Sequence, residues 1–381
     1  MTTDDARREL DDGMTRAQFA TRAAAALATG AGLAAYARSE TARAAISTLR
    51  TRSAAIGGTL NLYTWPNYYA AKNLADFKKS TGITIHTSAL DSNDTLFAKL
   101  NSPAGADYDL VIPSQYWVGI EAQKHLLLKI DKSRVPMQYV DKALLAKLSP
   151  TVNDYAIPKD YGTIGVVWDP TAVGGDIKSW QDYLDAGAKP GVSGKVELSD
   201  VPDETLGIAL WAAGKSSNTT NKDDLKKAAD VMTAFAKHVK AFNEFDTAGL
   251  ANGSVVMAVV TQGTARIAMQ QNKKLKFVIP QPQSKLWVDE YAIPAKAHNT
   301  DQAYAFINFM LQPARQLADA AYIGYPTSLP GLISKLPANV PLRNVIFIKP
   351  ADLDRLVAYI VHPEIQGYVE QLYSQIKAAA G

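Results

Sequence analysis

Asp109-Leu110-Val111-Ile112 is a short, nearly continuous apolar run that stops at Pro113-Ser114. Such a run suits a parallel strand buried on both faces, which in turn requires helices to cover those faces. The flanking sequence supplies them. Leu60-Asn61-Leu62-Tyr63 alternates as a strand, Ala70 to Lys79 has helical spacing at Leu74 and Phe77, and Ile83-Thr84-Ile85 is strand-like again. Ser92 stands at the N-cap of a helix reaching Leu100. Strands alternating with helices define an α/β sheet with right-handed crossovers.

The pattern then repeats. Gly165-Val166-Val167-Trp168, Lys195 to Leu198, Val255 to Val260, Lys276 to Pro280 and Leu286 to Pro294 read as strands. Glu204 to Ala213 and Asp223 to Lys237 read as helices between them. From Thr300, which precedes Asp301 and Gln302 as a cap, the chain reads as helical: 301–311, 313–321, 351–361 and 363–380. A chain of 381 residues exceeds one ordinary domain of about 100–200 residues. Two α/β lobes follow, with a cleft between the carboxyl ends of their strands, where ligands favour binding.

Composition narrows the chemistry. There is no cysteine, which removes disulfides, thiolate metal sites, cysteine nucleophiles and a lipid-modified cysteine anchor. The 40 basic and 37 acidic residues are interspersed, without the basic block that nucleic-acid binding needs. The five histidines (His86, His125, His238, His298 and His362) are scattered, and no metal-ligand spacing, P-loop or G-x-S-x-G elbow is present. No catalytic machinery, cofactor or metal site is expected.

The N-terminal region reads as an address. Arg16 and Arg22 precede an uncharged Ala-rich run of 15 residues, Ala23 to Ala37, followed by small residues at Ala35-Tyr36-Ala37 and Ala42-Arg43-Ala44. That is the layout of a secretory signal over residues 1–44, and the run is short for a membrane span of roughly 20 residues. Thr15-Arg16-Ala17-Gln18-Phe19 approaches a twin-arginine motif, with Ala17 in the place of its second arginine. Both general and twin-arginine export therefore stay open, and Met14 is a candidate start.

Aromatic and polar residues gather after expected strands, Trp65 and Tyr68 after the first and Ser114, Tyr116 and Trp117 after Ile112, while Trp287 and Asp289 lie within a further strand and Tyr325 in a Gly-Tyr-Pro-Thr turn. Residues just beyond a strand's carboxyl end face the cleft. Four segments resemble the spermidine/putrescine-binding family. Leu62-Tyr63-Thr64-Trp65-Pro66-Asn67-Tyr68 is similar to its opening strand and turn, and Asp109 to Tyr116 to its "DLVxPSxY" segment. Trp287 to Pro294 matches "WxDxxAIP", and Gly324-Tyr325-Pro326-Thr327 matches "GYPT".

The resemblance implies a two-lobe periplasmic-binding-protein fold of the type II kind. Residues 58–163 with 290–330 would form one lobe and 164–289 with 331–381 the other, with crossings near Gly162–Gly165 and Trp287–Ala292. It implies an exported, non-catalytic protein at the periplasmic or outer face of the membrane, with a monomer as the default expectation. That protein would close by a hinge on a small cationic ligand and deliver it to the membrane permease of an ABC importer. Trp65, Tyr68, Trp287 and Tyr325 would be walls, Asp289 the central amine partner, Ser114 and Tyr116 hydrogen-bonding groups, and Glu204 a second carboxylate. Aromatic faces and acids are what an alkyl cation needs.

Three positions depart from the family. Asn67 replaces a glutamate. Val201 replaces an acid, although Asp200 and Asp203 lie nearby. Thr261, before Gln262-Gly263, replaces a tryptophan. Because a desolvated ammonium without a carboxylate is costly, these changes favour putrescine over spermidine. Another small organic cation or amino compound on the same scaffold is the alternative. An enzyme on a two-lobe α/β scaffold is the competing class.

Overall fold

The structure, a computed structural model, describes residues 57–243 and 247–381. Gly58–Lys79 and Ile83–Gly381 form one compact unit, to which everything below refers. The strands are β1 (Thr59–Thr64), β2 (Thr84–Ala89), β3 (Leu110–Val111), β4 (Ala156–Trp168), β5 (Val196–Leu198), β6 (Val239–Phe242), β7 (Met257–Thr261), β8 (Lys276–Val278), β9 (Ser284–Ala292) and β10 (Leu356–Ala358). The longer helices are α1 (Ala71–Thr81), α2 (Asn93–Leu100), α3 (Gln115–Gln123), α4 (Trp180–Gly187), α5 (Pro202–Ala212), α6 (Lys222–Ala236), α7 (Gln262–Gln271), α8 (Thr300–Met310), α9 (Pro313–Ile323) and α10 (Pro363–Ala379).

The strands form a sheet of two halves with one shared plan. The first half runs β2-β1-β3-β9-β4 and the second β6-β5-β7-β4-β8. In each, three parallel strands are followed by an antiparallel one, β9 in the first half and β4 in the second. β4 serves both. Its residues Ala156 to Thr163 pair with β9, and Ile164 to Trp168 pair with β7. β10 adds to β9 at Ser284 to Leu286.

Side-chain alternation fills both faces of each half. Leu62, Leu110 and Tyr291 pack with Phe77 and Phe306 on one face of the first half. Tyr63, Val111 and Val288 pack with Val118, Ile348 and Leu356 on the other. In the second half Val166 and Val259 join Trp180, Trp211, Met232 and Ile376. Val167 and Val260 lie on the opposite face with Leu250 and Ala265. This two-sided burial explains why β4 and β7 carry no exposed position.

Three readings of the sequence need correction. The strand expected at Gly165 begins at Ala156, because Pro158, Lys159 and Asp160 disguise a fully buried strand as a loop. A bulge between Pro158 and Asp160 accommodates the proline, which cannot donate to a ladder. The helix expected over 351–361 is cut to a short one, Pro350–Asp354, followed by β10, whose conformation comes from pairing with β9. Asn299, with no side-chain capping bond, holds the N-cap position expected of Thr300. Ser92 does cap α2, accepting from Thr95 N at 3.1 Å. The export signal lies outside the described residues, and among those described no helix is long and apolar enough to cross a membrane.

Phe306 is fully buried, and the rings of Phe77, Tyr69 and Tyr291 meet it edge-on at 5.1, 5.5 and 6.5 Å. Phe306→Ala therefore removes the centre of one first-half cluster. It is expected to cost about 3–5 kcal/mol, read as a lower midpoint in urea denaturation.

Candidate functional site

The β4–β9 ladder sets Asp160 opposite Asp289 and Gly162 opposite Trp287. On β9 the period of two puts Lys285, Trp287 and Asp289 on one face. Glycine at 162 is required by contact, since a Cβ there would fall inside the Trp287 indole. Tyr325 meets Trp287 edge-on, with centroids 4.8 Å apart and planes at 81°. The turn carrying Tyr325 runs beside β4, with Tyr161 N donating to Pro326 O and Ser328 N to Lys159 O. Gly324 makes that turn possible, ending α9 with a left-handed φ of 83°. Gly263 leaves room for the Tyr325 ring, whose hydroxyl lies 2.8 Å from Thr261 Oγ1.

Asp289 is the centre of a buried acid cluster. Ser114, at the N-cap of α3, donates to its Oδ1 at 2.7 Å, and Tyr68 OH contacts its Oδ2. The same phenol lies 2.6 Å from Asp160 Oδ1, and Lys159 pairs with the other Asp160 oxygen. A phenol has one proton to give, so two carboxylates on one hydroxyl need a further shared proton. The electrostatics agree. Burial, then the charge of Asp160, pushes Asp289 up to about 7, and burial with both carboxylates holds the Tyr68 phenol well above its ordinary value. Lys159 Nζ also sits 3.7 Å from the Tyr68 ring centroid.

A second charged cluster lies further along the same face of β9. Lys285 Nζ is 2.9 Å from both Asp203 Oδ2 and Glu204 Oε1, the two acids opening α5. Ser199 donates to Glu204 Oε2 at 2.6 Å. The Tyr116 and Tyr359 rings flank the ammonium at 5.4 and 4.9 Å. Burial opposes the charge on Lys285, but Asp203 and Glu204 outweigh it and hold the ammonium pKa well above the ordinary value. Burial raises Asp203. Asn93 joins the clusters: its amide nitrogen lies 3.2 Å from Ser114 Oγ and 3.3 Å from Tyr116 OH. A small crevice of about 20 Å³ borders Asp203 and Tyr359 with Leu210 and His362, and Trp287 and Asp289 are not among its lining residues.

Of the ten site residues read from the sequence, Tyr68, Ser114, Tyr116, Glu204, Thr261, Trp287, Asp289 and Tyr325 enter these contacts. Trp65 packs against both first-half clusters, and its buried Nε1 has no hydrogen-bond partner. Asn67 stands exposed in the turn after β1 with φ 56°, a conformation asparagine tolerates. Sequence reasoning missed Lys159, Asp160, Lys285, Gln115 and Tyr359. Gln115 accepts from Val288 N at 2.7 Å and donates to Tyr359 O at 3.2 Å, tying β9 to the segment after β10. The one available signal was the alternation Lys285-x-Trp287-x-Asp289, which puts all three on one face.

An α/β sheet in two halves, with aromatic walls and paired acids where its halves join, is the equipment of a protein that holds a small molecule. Comparison with known proteins agrees: the chain belongs to the bacterial extracellular solute-binding proteins, whose family model matches residues 72–341. Within them it falls in the spermidine/putrescine-binding group. It is 33% identical over 356 residues to spermidine/putrescine-binding periplasmic protein 1 of Haemophilus influenzae, covering 90% of this chain and 93% of that one. It is 34% identical over 281 residues to the spermidine/putrescine-binding periplasmic protein of Escherichia coli, covering 71% and 77%. Among solved structures it resembles the spermidine/putrescine ABC transporter substrate-binding protein PotD of Streptococcus pneumoniae. The TM-score is 0.76 at 27% identity, over 85% of this chain and all of that one. This is the two-lobe fold of substrate-binding proteins, and the family is one of binding proteins, not enzymes.

The raised pKa of Asp289 has a stability consequence. The folded state keeps a proton that the unfolded chain releases near pH 4, so stability falls as pH rises from about 4 to about 7. Asp289→Asn is expected to flatten this dependence and to raise the melting temperature at pH 8 by a few degrees, measured by calorimetry across pH 4–8.

Proposed function

We propose that this protein is the extracytoplasmic binding component of an ABC importer, and that it captures a polyamine-type cation at Asp289. The observation that carries this reading is a buried carboxylate set beside two edge-on aromatic rings, Trp287 and Tyr325, with Tyr68 and Ser114 fixing its orientation. Aromatic faces attract an alkylammonium, and a buried carboxylate supplies its charge-assisted hydrogen bond. The relatives named for spermidine and putrescine support the same ligand class. Trp65, with its free indole donor, and Tyr116 complete the proposed walls.

In this reading residues 58–163 with 290–330 and residues 164–289 with 331–381 act as the two lobes, except that Ser284–Asp289 of β9 and Leu356–Ala358 of β10 go with the first, whose sheet they complete. They close by bending where β4 passes from one half of the sheet to the other. The protein then works as a monomer at the periplasmic or outer face of the membrane, docks on the importer's permease, and has no nucleic-acid partner. The names of its relatives, which call them periplasmic, support that location.

Isothermal titration calorimetry with putrescine, spermidine, cadaverine and agmatine tests the proposal. One equivalent is expected to bind and to be recovered unchanged, with affinity lost in Trp287→Ala. An ammonium needs Asp289 ionised, and burial with the charge of Asp160 pushes that carboxyl up to about 7. Affinity is therefore expected to rise as pH increases from 6 to 8, with proton release seen as a dependence of the heat on buffer ionisation. No heat with any amine, or an affinity flat across that range, counts against Asp289 as the amine partner.

A further inference from the structure

Lys285 is an ammonium in an amine-binding site. Its Nζ lies 2.9 Å from one carboxylate oxygen of each of Asp203 and Glu204, between the rings of Tyr116 and Tyr359. Ser199 holds the remaining Glu204 oxygen, and the Lys285 side chain is 4% exposed. These are the groups that would hold a ligand's ammonium. The lysine side chain is four methylenes ending in an ammonium, the same composition as one arm of an aminobutyl-containing polyamine.

Its position gives this likeness a consequence. Lys285 and Asp289 are four residues apart on one strand face, about 13 Å at some 3.3 Å per residue, with Trp287 between them. An amine anchored at Asp289 and extended along Trp287 points toward Asp203 and Glu204. There it meets the Lys285 charge instead of free carboxylates.

We infer that Lys285 is a specificity-determining residue that fills, from within the chain, the place of a longer polyamine's far ammonium. The site then selects amines too short to reach Asp203 and Glu204. This rests on the amine-binding reading above. A plain structural ion pair would have no bearing on ligand length.

The test is calorimetric titration of the full chain and of Lys285→Ala with putrescine and spermidine. The unmodified protein is expected to bind putrescine more tightly than spermidine. Lys285→Ala opens both a volume and two carboxylates, so the preference should shift toward spermidine by about ten- to a hundred-fold, the worth of one charge-assisted contact. Lys285→Met keeps the volume filled and should show no such gain. Should Lys285→Ala lose its fold with two acids left facing each other, the double variant Lys285→Ala, Asp203→Asn relieves the repulsion and leaves Glu204 for the incoming ammonium. A length preference identical in all variants overturns the inference alone. Failure of the unmodified chain to bind any amine overturns the reading beneath it, and the inference with it.

Discussion

The pairing of β4 with β9 is the interaction on which the rest depends. Its register sets Asp160 against Asp289 and Gly162 against Trp287. Shifting β9 by one residue would turn Lys285, Trp287 and Asp289 to the other face, into the cluster of Leu286 and Val288. The bulge at Pro158 matters for the same reason: adjacent residues normally point to opposite faces, yet Lys159 and Asp160 meet as a buried pair. Secondary structure and site are thus decided by one ladder.

The two charged clusters are built on different terms. At Asp289 burial and the nearby charge of Asp160 push the carboxyl up to about 7, and in the proposed reading an incoming ammonium takes the place of its proton. At Glu204 the chain supplies its own ammonium. Fixed dipoles keep both arrangements oriented: Ser114 and Tyr68 on Asp289, and Ser199 on Glu204. Burying charge without such partners would be strongly unfavourable, so each acid here comes with its hydroxyl or its lysine.

Much of this was legible in the sequence because it is local. Apolar runs mark buried strands, Ser92 marks a helix start, and Trp287-Val288-Asp289 and Gly324-Tyr325-Pro326-Thr327 carry the family pattern on their face. What stayed hidden is what pairing creates. Lys159 and Asp160 look like solvent-facing loop residues until the Ala156–Thr163 segment is laid against β9. Lys285 looks like one exposed charge among many until α5 brings Asp203 and Glu204 to it. Tyr359 sits in a stretch with helical composition, which β9 draws into an added strand. Asn67, named from its family position, stands exposed in a left-handed turn that the sequence alone did not announce.

The double membership of β4 also governs the order in which the protein can be completed as the chain emerges. The second half of the sheet has all its strands once Val278 is made. The first half, although it begins at Thr59, lacks its antiparallel strand until Ala292 appears. The earlier-made half must therefore wait for the later one, with the inner edges of β3 and β4 unpaired in the meantime. The first half is not a continuous length of chain, and the second, although its strands run unbroken from Ile164 to Val278, packs Val369, Leu372 and Ile376 of α10 into its core. A chain released before β9 would carry all the strands of the second half, a first half still open, and no finished site.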